Sequence, residues 1–221
     1  MKKYLLIMGS PAADLSSCIK EAIARDFQVI TAITGHSESD ELIQSMTEGV
    51  MIVPWRHAST LSAKAAVASA VEAVKADAGQ LSGVIFVLNP PGENRGFHQI
   101  PPGELEKIIM EVFAGTLFVL RESLSALTQQ GSGELTIILN EHNLEVLPPP
   151  AAGMLAGIQR TIEGMFRAYA NEAIVIQGIR SSVREAEVLG AYVFEEYLGK
   201  SEKTAWRWTK FTGKTGLFGR K

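Results

Sequence analysis

Six short apolar runs recur along the chain, and stretches with helical periodicity separate them. The runs are rich in Val, Ile and Leu, and they fall at Tyr4–Met8, Phe27–Thr31, Val50–Val53, Gly83–Leu88, Leu135–Leu139 and Ile174–Ile179. Each run is continuously apolar rather than alternating, which indicates a strand that is buried on both faces. Strands of this kind are typical of a parallel sheet.

The stretches between the runs predict helices, and three prolines at 148–150 predict a loop before one of them. The predicted helices are at about Leu15–Arg25, Ser39–Met46, Leu61–Ala76, Pro102–Gln129, Met154–Ala170 and Val183–Leu198. Strand and helix therefore alternate along the chain. We predict an α/β fold, a doubly wound Rossmann-like parallel sheet with helices on both faces, in three layers.

Two of the predicted helices carry an apolar surface that is wider than one contact with a sheet requires. They lie near residues 105–128 and 154–170, and both contain apolar residues on more than one side. We expect these helices to bury a second face in a homo-oligomer, either a dimer or a tetramer. The alternative is that both helices simply cover the sheet.

The composition of the chain changes at about residue 198. We predict a Rossmann-like domain over residues 1–198 and a basic aromatic tail over 199–221. Seven basic residues and one acidic residue lie between Lys200 and Lys221, and Trp206, Trp208 and Phe211 are interleaved with them. Such a tail can contact an acidic partner or nucleic acid. Because residues 206–211 alternate in polarity, we favour a last edge strand followed by a flexible end.

Composition narrows the class of protein. The 221 residues carry a formal net charge of -3, which disfavours a nucleic-acid partner, and Cys18 is the single cysteine. One thiol cannot form an intramolecular disulfide, so we expect a reducing compartment and a cytoplasmic location. No apolar run reaches the roughly 18–20 residues of a spanning helix. Tyr4–Met8 is also too short for the apolar region of a signal peptide, which needs roughly 7–15 residues.

Motifs of several common site classes are missing or incomplete. The sequence contains no G-x-S-x-G, H-E-x-x-H or EF-hand pattern, and its four histidines are scattered singly. Thr212–Thr215 resembles the end of a phosphate-binding loop, but only six residues follow it, too few for the helix that such a loop requires. We therefore expect no metal site and no P-loop.

The turn after the first strand lies where a doubly wound protein binds phosphate. Gly9 is the one glycine there, followed by Ser10. A dinucleotide site needs glycines at this turn so that the backbone can approach the pyrophosphate at a helix N-terminus. Asp14 is a candidate helix cap whose charge would repel a diphosphate. No acidic residue that could hold a ribose hydroxyl follows the second strand, and Arg56 after the third strand is a candidate source of positive charge.

Several segments, in order, resemble the short-chain dehydrogenase/reductase superfamily over roughly residues 3–198. Gly83–Gly92, with Asn89-Pro90-Pro91-Gly92 at its end, is similar to the family's fourth strand and its N-N-A-G turn. The similarity continues through Ala114–Arg121, Gly131–Leu139, Gly164–Ala170 and Ile174–Arg180. The resemblance implies the predicted fold and an NAD or NADP site that includes Gly9, Ser10, Asn89 and Gly92.

The catalytic groups of that family are missing at the matching positions. Its members use a Tyr, a Lys, a Ser and a helix Asn to move protons. The Ser position matches Asn140 or Leu139, and the helix Asn position matches Val112. The Tyr and Lys positions match Leu155 and Gln159 in one register, or Gly153 and Gly157 in the other, and no Tyr or Lys occurs between Lys107 and Tyr169.

These observations predict a short-chain dehydrogenase/reductase-like protein without standard oxidoreductase catalysis, which acts as a binding or scaffold protein. One alternative is a divergent NAD(P)-dependent oxidoreductase with a non-standard active site. A second is an interaction platform that binds a protein through its basic tail. A surviving pocket would lie at the carboxyl ends of the strands. Its mouth would gather Ser10, Asn89, Asn140, Glu141, His142, Arg56 and His57.

Overall fold

Seven parallel strands lie side by side in one sheet in the computed structural model, which describes residues 2–9, 13–33, 50–89, 95–141, 147, 149–198 and 206–213. The spatial order of the strands is β3-β2-β1-β4-β5-β6-β7, so the order reverses between β1 and β4. The strands are β1 (Lys3–Gly9), β2 (Gln28–Ile33), β3 (Val50–Pro54), β4 (Gln80–Leu88), β5 (Gly133–Asn140), β6 (Ile174–Ser181) and β7 (Trp208–Phe211).

Helices cover both faces of this sheet. They are α1 (Ala13–Ile23), α2 (Thr60–Ala76), α3 (Pro102–Ile108), α4 (Gly115–Gln130), α5 (Pro149–Ala168) and α6 (Ala186–Leu198), and a short 3₁₀ turn lies at Phe97–Gln99. One core cluster packs α1 and α6 against one face, and a second packs α2, α4 and α5 against the other. The predicted three-layer Rossmann-like architecture is confirmed. The helix predicted at Ser39–Met46 lies outside the described residues.

The central strands are buried as their apolar runs predict, whereas the edge strand β3 is not. Five of the seven residues of β1 and seven of the eight residues of β5 are buried. In β3, Met51 and Ile52 keep 42% and 38% of their surface exposed. The expectation that this run is buried on both faces was wrong, because β3 pairs only with β2 and lies at the edge of the described sheet.

The long helix predicted at Pro102–Gln129 is interrupted. A π-helical turn at Ile109–Ala114 separates α3 from α4. At its end the Gly115 N–H donates to the carbonyls of Met110 and Val112, and the Thr116 hydroxyl donates to Val112 O at 2.6 Å. Gly115 also lies against the carbonyl of His57, where an added Cβ would come within 2.4 Å. The wider turn is a common way for a helix to accommodate such a local contact.

The helix α5 begins earlier than predicted. It starts at Pro149 rather than Met154, so two of the prolines that predict a loop belong to its first turn. Proline is tolerated there because the first N–H groups of a helix have no partner within the helix.

The basic tail contributes a strand to the sheet. Trp208–Phe211 form β7, parallel to β6, in the stretch whose alternation predicts an edge strand. Trp208 packs edge-on against Phe166, with ring centroids 5.9 Å apart. Phe211 stacks on Tyr192 at 3.8 Å. These aromatic side chains therefore pack on α5 and α6.

The end of β1 is held close to β4 by a residue that has no side chain. Gly9 has φ of +149°, and a Cβ added there would come within 2.0 Å of the Val87 carbonyl oxygen. An L-residue would therefore be both strained and overpacked. Gly9 sets the spacing between the two strands at which the strand order reverses.

We expect Gly9→Ala to lower the free energy of unfolding by more than about 2 kcal/mol. Backbone strain contributes about 1–3 kcal/mol, and overpacking against β4 adds a cost of similar size. Urea denaturation measures the loss. Gly153→Ala is the matched control, because a Cβ at Gly153 meets nothing within 4 Å. Equal effects of the two substitutions would contradict the assignment.

Candidate functional site

The candidate site lies at the carboxyl edge of the sheet. All strands are parallel, so the ends of β1, β4 and β5 meet at this edge. Ligands of doubly wound folds bind outside this edge, at the point where the strand order reverses. Here that point lies between β1 and β4.

A buried carboxylate lies in the first turn of α1. Asp14 is 6% exposed, and Asn140 at the end of β5 is 2% exposed. Asn140 Nδ2 donates a hydrogen bond to Asp14 Oδ2 at 2.6 Å. Burial of a charged group is costly without a hydrogen-bond partner, and the positive end of the α1 dipole adds favourable interaction with the carboxylate. The two side chains therefore stabilise each other at this edge.

The charge of Asp14 acts on a neighbouring thiol. Cys18 lies one turn further along α1 and is fully buried. Burial, and secondarily the negative charge of Asp14, raise the pKa of the Cys18 thiol to about 12. The thiolate is the reactive form of cysteine, so Cys18 is a neutral core residue at ordinary pH.

Asn89 presents an unsatisfied amide at the same edge. Its Nδ2 and Oδ1 atoms are both buried, and neither has a hydrogen-bond partner within the part of the chain that the structure describes. Asn89 directly follows β4, which ends at Leu88. An unpaired buried polar group costs about 1–3 kcal/mol. The position therefore suits a polar ligand group.

Glu141 is an ion-pair partner of Arg180. The Arg180 Nε donates to Glu141 Oε1, and the Glu141 N–H donates to Ser181 O at 2.6 Å. Through these two hydrogen bonds, Glu141 joins the end of β5 to β6. His142, which is also predicted at the mouth of the pocket, lies outside the described residues.

The segment after β3 contributes an aromatic cluster. Trp55 is 3% exposed, and its ring lies 4.1 Å from that of His57 and 6.3 Å from that of Phe86. Arg56 is exposed. The packing of Trp55 against β4 cannot be predicted from the sequence, because a single aromatic residue after a strand gives no signal of its partner.

The four catalytic positions of the resemblance hold groups that do not transfer protons. Leu155 is 2% exposed and belongs to the core. The Gln159 amide donates to Glu163 at 3.3 Å, and an added Cβ at Gly157 would lie 2.9 Å from the Phe113 ring. Val112 packs against the same core. In neither register do the matching positions of α5 supply a phenol or an amine.

The predicted cofactor residues divide into two pairs. Gly9 and Asn89 lie at the ends of β1 and β4, where they were predicted, while Ser10 and Gly92 lie outside the described residues. The roles of all four residues in cofactor binding stay predictions.

A nicotinamide dinucleotide fits this edge only in part. The unpaired Asn89 amide suits a polar group of such a ligand. The first turn of α1, where a diphosphate would bind, instead carries the Asp14 carboxylate. We therefore find no fit for the diphosphate in the described residues.

The described part of the chain gives no support for a metal site or for a membrane-spanning helix. No three His, Cys, Asp or Glu side chains there come together in a way that could hold a metal ion. None of its helices is long and apolar enough to cross a membrane.

Comparison with known proteins gives matches in structure but not in sequence. No family model and no curated protein matches the chain. A short-chain dehydrogenase/reductase (glucose/ribitol dehydrogenase) from Brucella melitensis is 9% identical with a TM-score of 0.79, covering 99% of this chain and 100% of its own. Levodione reductase is 13% identical with a TM-score of 0.80, covering 96% of both chains.

A third structure is the 3-ketoacyl-(acyl-carrier-protein) reductase from Brucella melitensis, which is in complex with NADH. It is 9% identical with a TM-score of 0.81, and the match covers 96% of this chain and 97% of that one. At such identities the likeness concerns the fold. The chain has the fold of the short-chain dehydrogenase/reductase superfamily over nearly its whole length.

We expect Asn140→Ala to lower the free energy of unfolding by about 1–3 kcal/mol, because it removes a donor from the buried Asp14 carboxylate. Urea denaturation measures the change. Asn171→Ala is the control, since Asn171 is exposed after α5 and its loss should cost less than about 0.5 kcal/mol. A loss at Asn140 no larger than at Asn171 would show that the hydrogen bond contributes nothing.

We expect the pKa of Cys18 to make the protein less stable above pH 9. The unfolded thiol titrates near 9.0, whereas the folded thiol keeps its proton to about 12. The unfolded state therefore binds fewer protons in this window, and stability falls by up to about 1.4 kcal/mol per pH unit.

Urea unfolding at a series of pH values measures this slope. Cys18→Ala should remove one thiol's share of the slope, whatever its effect on stability below pH 9. An unchanged slope in Cys18→Ala would contradict the assigned shift.

Proposed function

We propose that this chain is a short-chain dehydrogenase/reductase-like protein that lacks the standard oxidoreductase chemistry and acts by binding, as a self-associating scaffold. The proposal rests on the residues that stand at the matching catalytic positions and on what they contact. Leu155 is a core residue and Gly157 faces the ring of Phe113. Proton transfer to or from a carbonyl requires a positioned group that can titrate, and these positions supply none.

The rest of the carboxyl edge supports the same proposal. Two carboxylates described there have protein partners. Asp14 accepts from Asn140, and Glu141 accepts from Arg180. Groups held in such pairs stabilise the edge.

The proposed self-association uses an apolar groove between α4 and α5. The groove has a volume of about 620 Å³, and its apolar lining includes Leu117, Leu120, Leu124, Met165 and Tyr169. Ile109 and Met110, in the π turn before α4, are 42% and 38% exposed. Apolar surface that clusters in this way marks an interaction site. The groove lies between the helices near 105–128 and 154–170 for which the sequence predicts an oligomer, and we propose a second copy of the chain as its occupant.

One observation favours a second candidate function, a divergent NAD(P)-dependent oxidoreductase. The Asn89 amide has no partner among the described residues although its polar atoms are buried. A polar ligand at this position would satisfy it. The tail-platform alternative is weakened, because Trp208 and Phe211 are packed within the sheet and its helices.

Cysteine content and net charge support proposals on cellular location and on nucleic-acid binding. We propose a cytoplasmic location from the single, buried cysteine. We propose no nucleic-acid partner, because the net charge is -3.

The proposed loss of chemistry is tested by turnover. NADH and NADPH are incubated with a panel of aldehydes, ketones and ketoacyl esters, and the reverse reaction is run with alcohols. We expect no change in reduced nicotinamide beyond that in protein-free samples. Turnover that Asn140→Ala abolishes would overturn the proposal and support the divergent enzyme.

The proposed self-association is tested at the groove. We expect the wild-type chain to sediment as an oligomer at micromolar concentration and Met165→Glu to sediment as a monomer, since a buried unpaired charge destabilises the interface. Leu61→Glu is the control, because Leu61 on α2 is 75% exposed and lies away from the groove. A monomeric wild type, or equal effects of the two substitutions, would contradict the proposed interface.

A further inference from the structure

The hydrogen bond between Asp14 and Asn140 crosses the point at which a doubly wound fold binds its ligand. Asp14 lies in α1, which follows β1, and Asn140 ends β5. Because β4 lies between β1 and β5 in the sheet, the bond must pass over β4 on the α1 face. The strand order reverses between β1 and β4. The ligand crevice at this switch point is therefore bridged by two side chains of the protein.

The bridge is buried on both sides. Both residues are more than nine-tenths buried, with 6% and 2% of their surfaces exposed. The 2.6 Å separation between Asn140 Nδ2 and Asp14 Oδ2 is short, as is usual when a hydrogen bond involves a charged group. A carboxylate held in this way would lose a donor if it left its position, and the Asn140 amide would then be a buried group without this acceptor.

The charge of the bridge opposes an anionic ligand. The N-terminus of a helix attracts anions through its free N–H groups and its dipole. In α1 a carboxylate of the protein lies in this first turn, while the basic residue of the helix, Lys20, lies in its last turn. The raised pKa of the Cys18 thiol has the same source in part, since the Asp14 charge acts on it through the core. A diphosphate would place further negative charge beside the Asp14 carboxylate.

We infer that the paired Asp14 and Asn140 side chains are an internal substitute for the diphosphate of a dinucleotide, and that the Asp14 carboxylate closes this crevice to such ligands. The inference goes beyond the proposed function, because a chain can lack catalytic groups and still hold a cofactor. It predicts a gain of binding when the carboxylate is removed. A site that had merely decayed through many changes would show no such gain from one substitution.

The test is calorimetric titration of the full chain with two probes, inorganic pyrophosphate and NADH. Four proteins are compared: wild type, Asp14→Gly, Asp14→Asn and Asp26→Asn. Asp14→Gly removes the side chain, and Asp14→Asn removes the charge while keeping the size. Asp26→Asn is the control for net charge, because Asp26 is exposed beyond the other end of α1. Its φ of +61° is one that Asn tolerates.

We expect the wild type and Asp26→Asn to show no saturable binding of either probe. We expect at least one Asp14 variant to bind pyrophosphate at least tenfold more tightly than the wild type, a gain of about 1.4 kcal/mol. Circular dichroism and thermal unfolding identify the variants that are folded. If Asp14→Gly does not fold, the isosteric Asp14→Asn decides the matter, with stability raised by a folding osmolyte if it is needed.

Three outcomes would overturn the inference. One is wild-type binding of NADH or pyrophosphate with a Kd below about 100 μM, or more than about 5 kcal/mol of binding free energy. The second is the absence of any gain in the folded Asp14 variants. The third is an equal gain in Asp26→Asn, which would reduce the effect to net charge. None of these outcomes involves turnover or oligomeric state, so failure here is distinguishable from failure of the proposed function.

Discussion

The hydrogen bond from Asn140 to Asp14 joins β5 to α1 across the point where the strand order reverses. It exists because the fold buries a carboxylate at the start of α1, and a buried carboxylate needs a donor. The sheet supplies that donor at the end of β5. The close approach of Gly9 to Val87 sets the distance between β1 and β4 beneath the bond. The chemistry of the whole carboxyl edge depends on this arrangement, since it decides which charge α1 presents there.

Much of the fold can be predicted from the sequence because its determinants are local. Runs such as Leu135–Leu139 are continuously apolar, and parallel strands with both faces covered require such runs. Edge exposure is different. The residue types of Val50–Val53 do not show whether the strand lies at the edge or in the centre of the sheet. The exposure of Met51 and Ile52 depends on strand order, which the run itself does not determine. The π turn at Ile109–Ala114 is similarly hidden, since it accompanies a contact between Gly115 and the distant His57.

The candidate site can be predicted only in outline. The absence of the catalytic Tyr and Lys can be read from the sequence, because neither residue occurs at the matching positions in either register. Asp14 can be identified as unfavourable to a diphosphate from its place after Gly9. Its partner cannot be identified, because 126 residues separate Asp14 from Asn140 and only the fold brings them together. The pairing of Glu141 with Arg180 is hidden for the same reason, and so is the unsatisfied amide of Asn89.

We propose that the protein holds no nicotinamide dinucleotide as a resident group. The most direct measurement is to denature freshly purified, undialysed protein and to quantify the released nucleotides by chromatography. We expect no NAD(H) or NADP(H) above the level released by an unrelated protein prepared in parallel. Near-stoichiometric release of either nucleotide would contradict it.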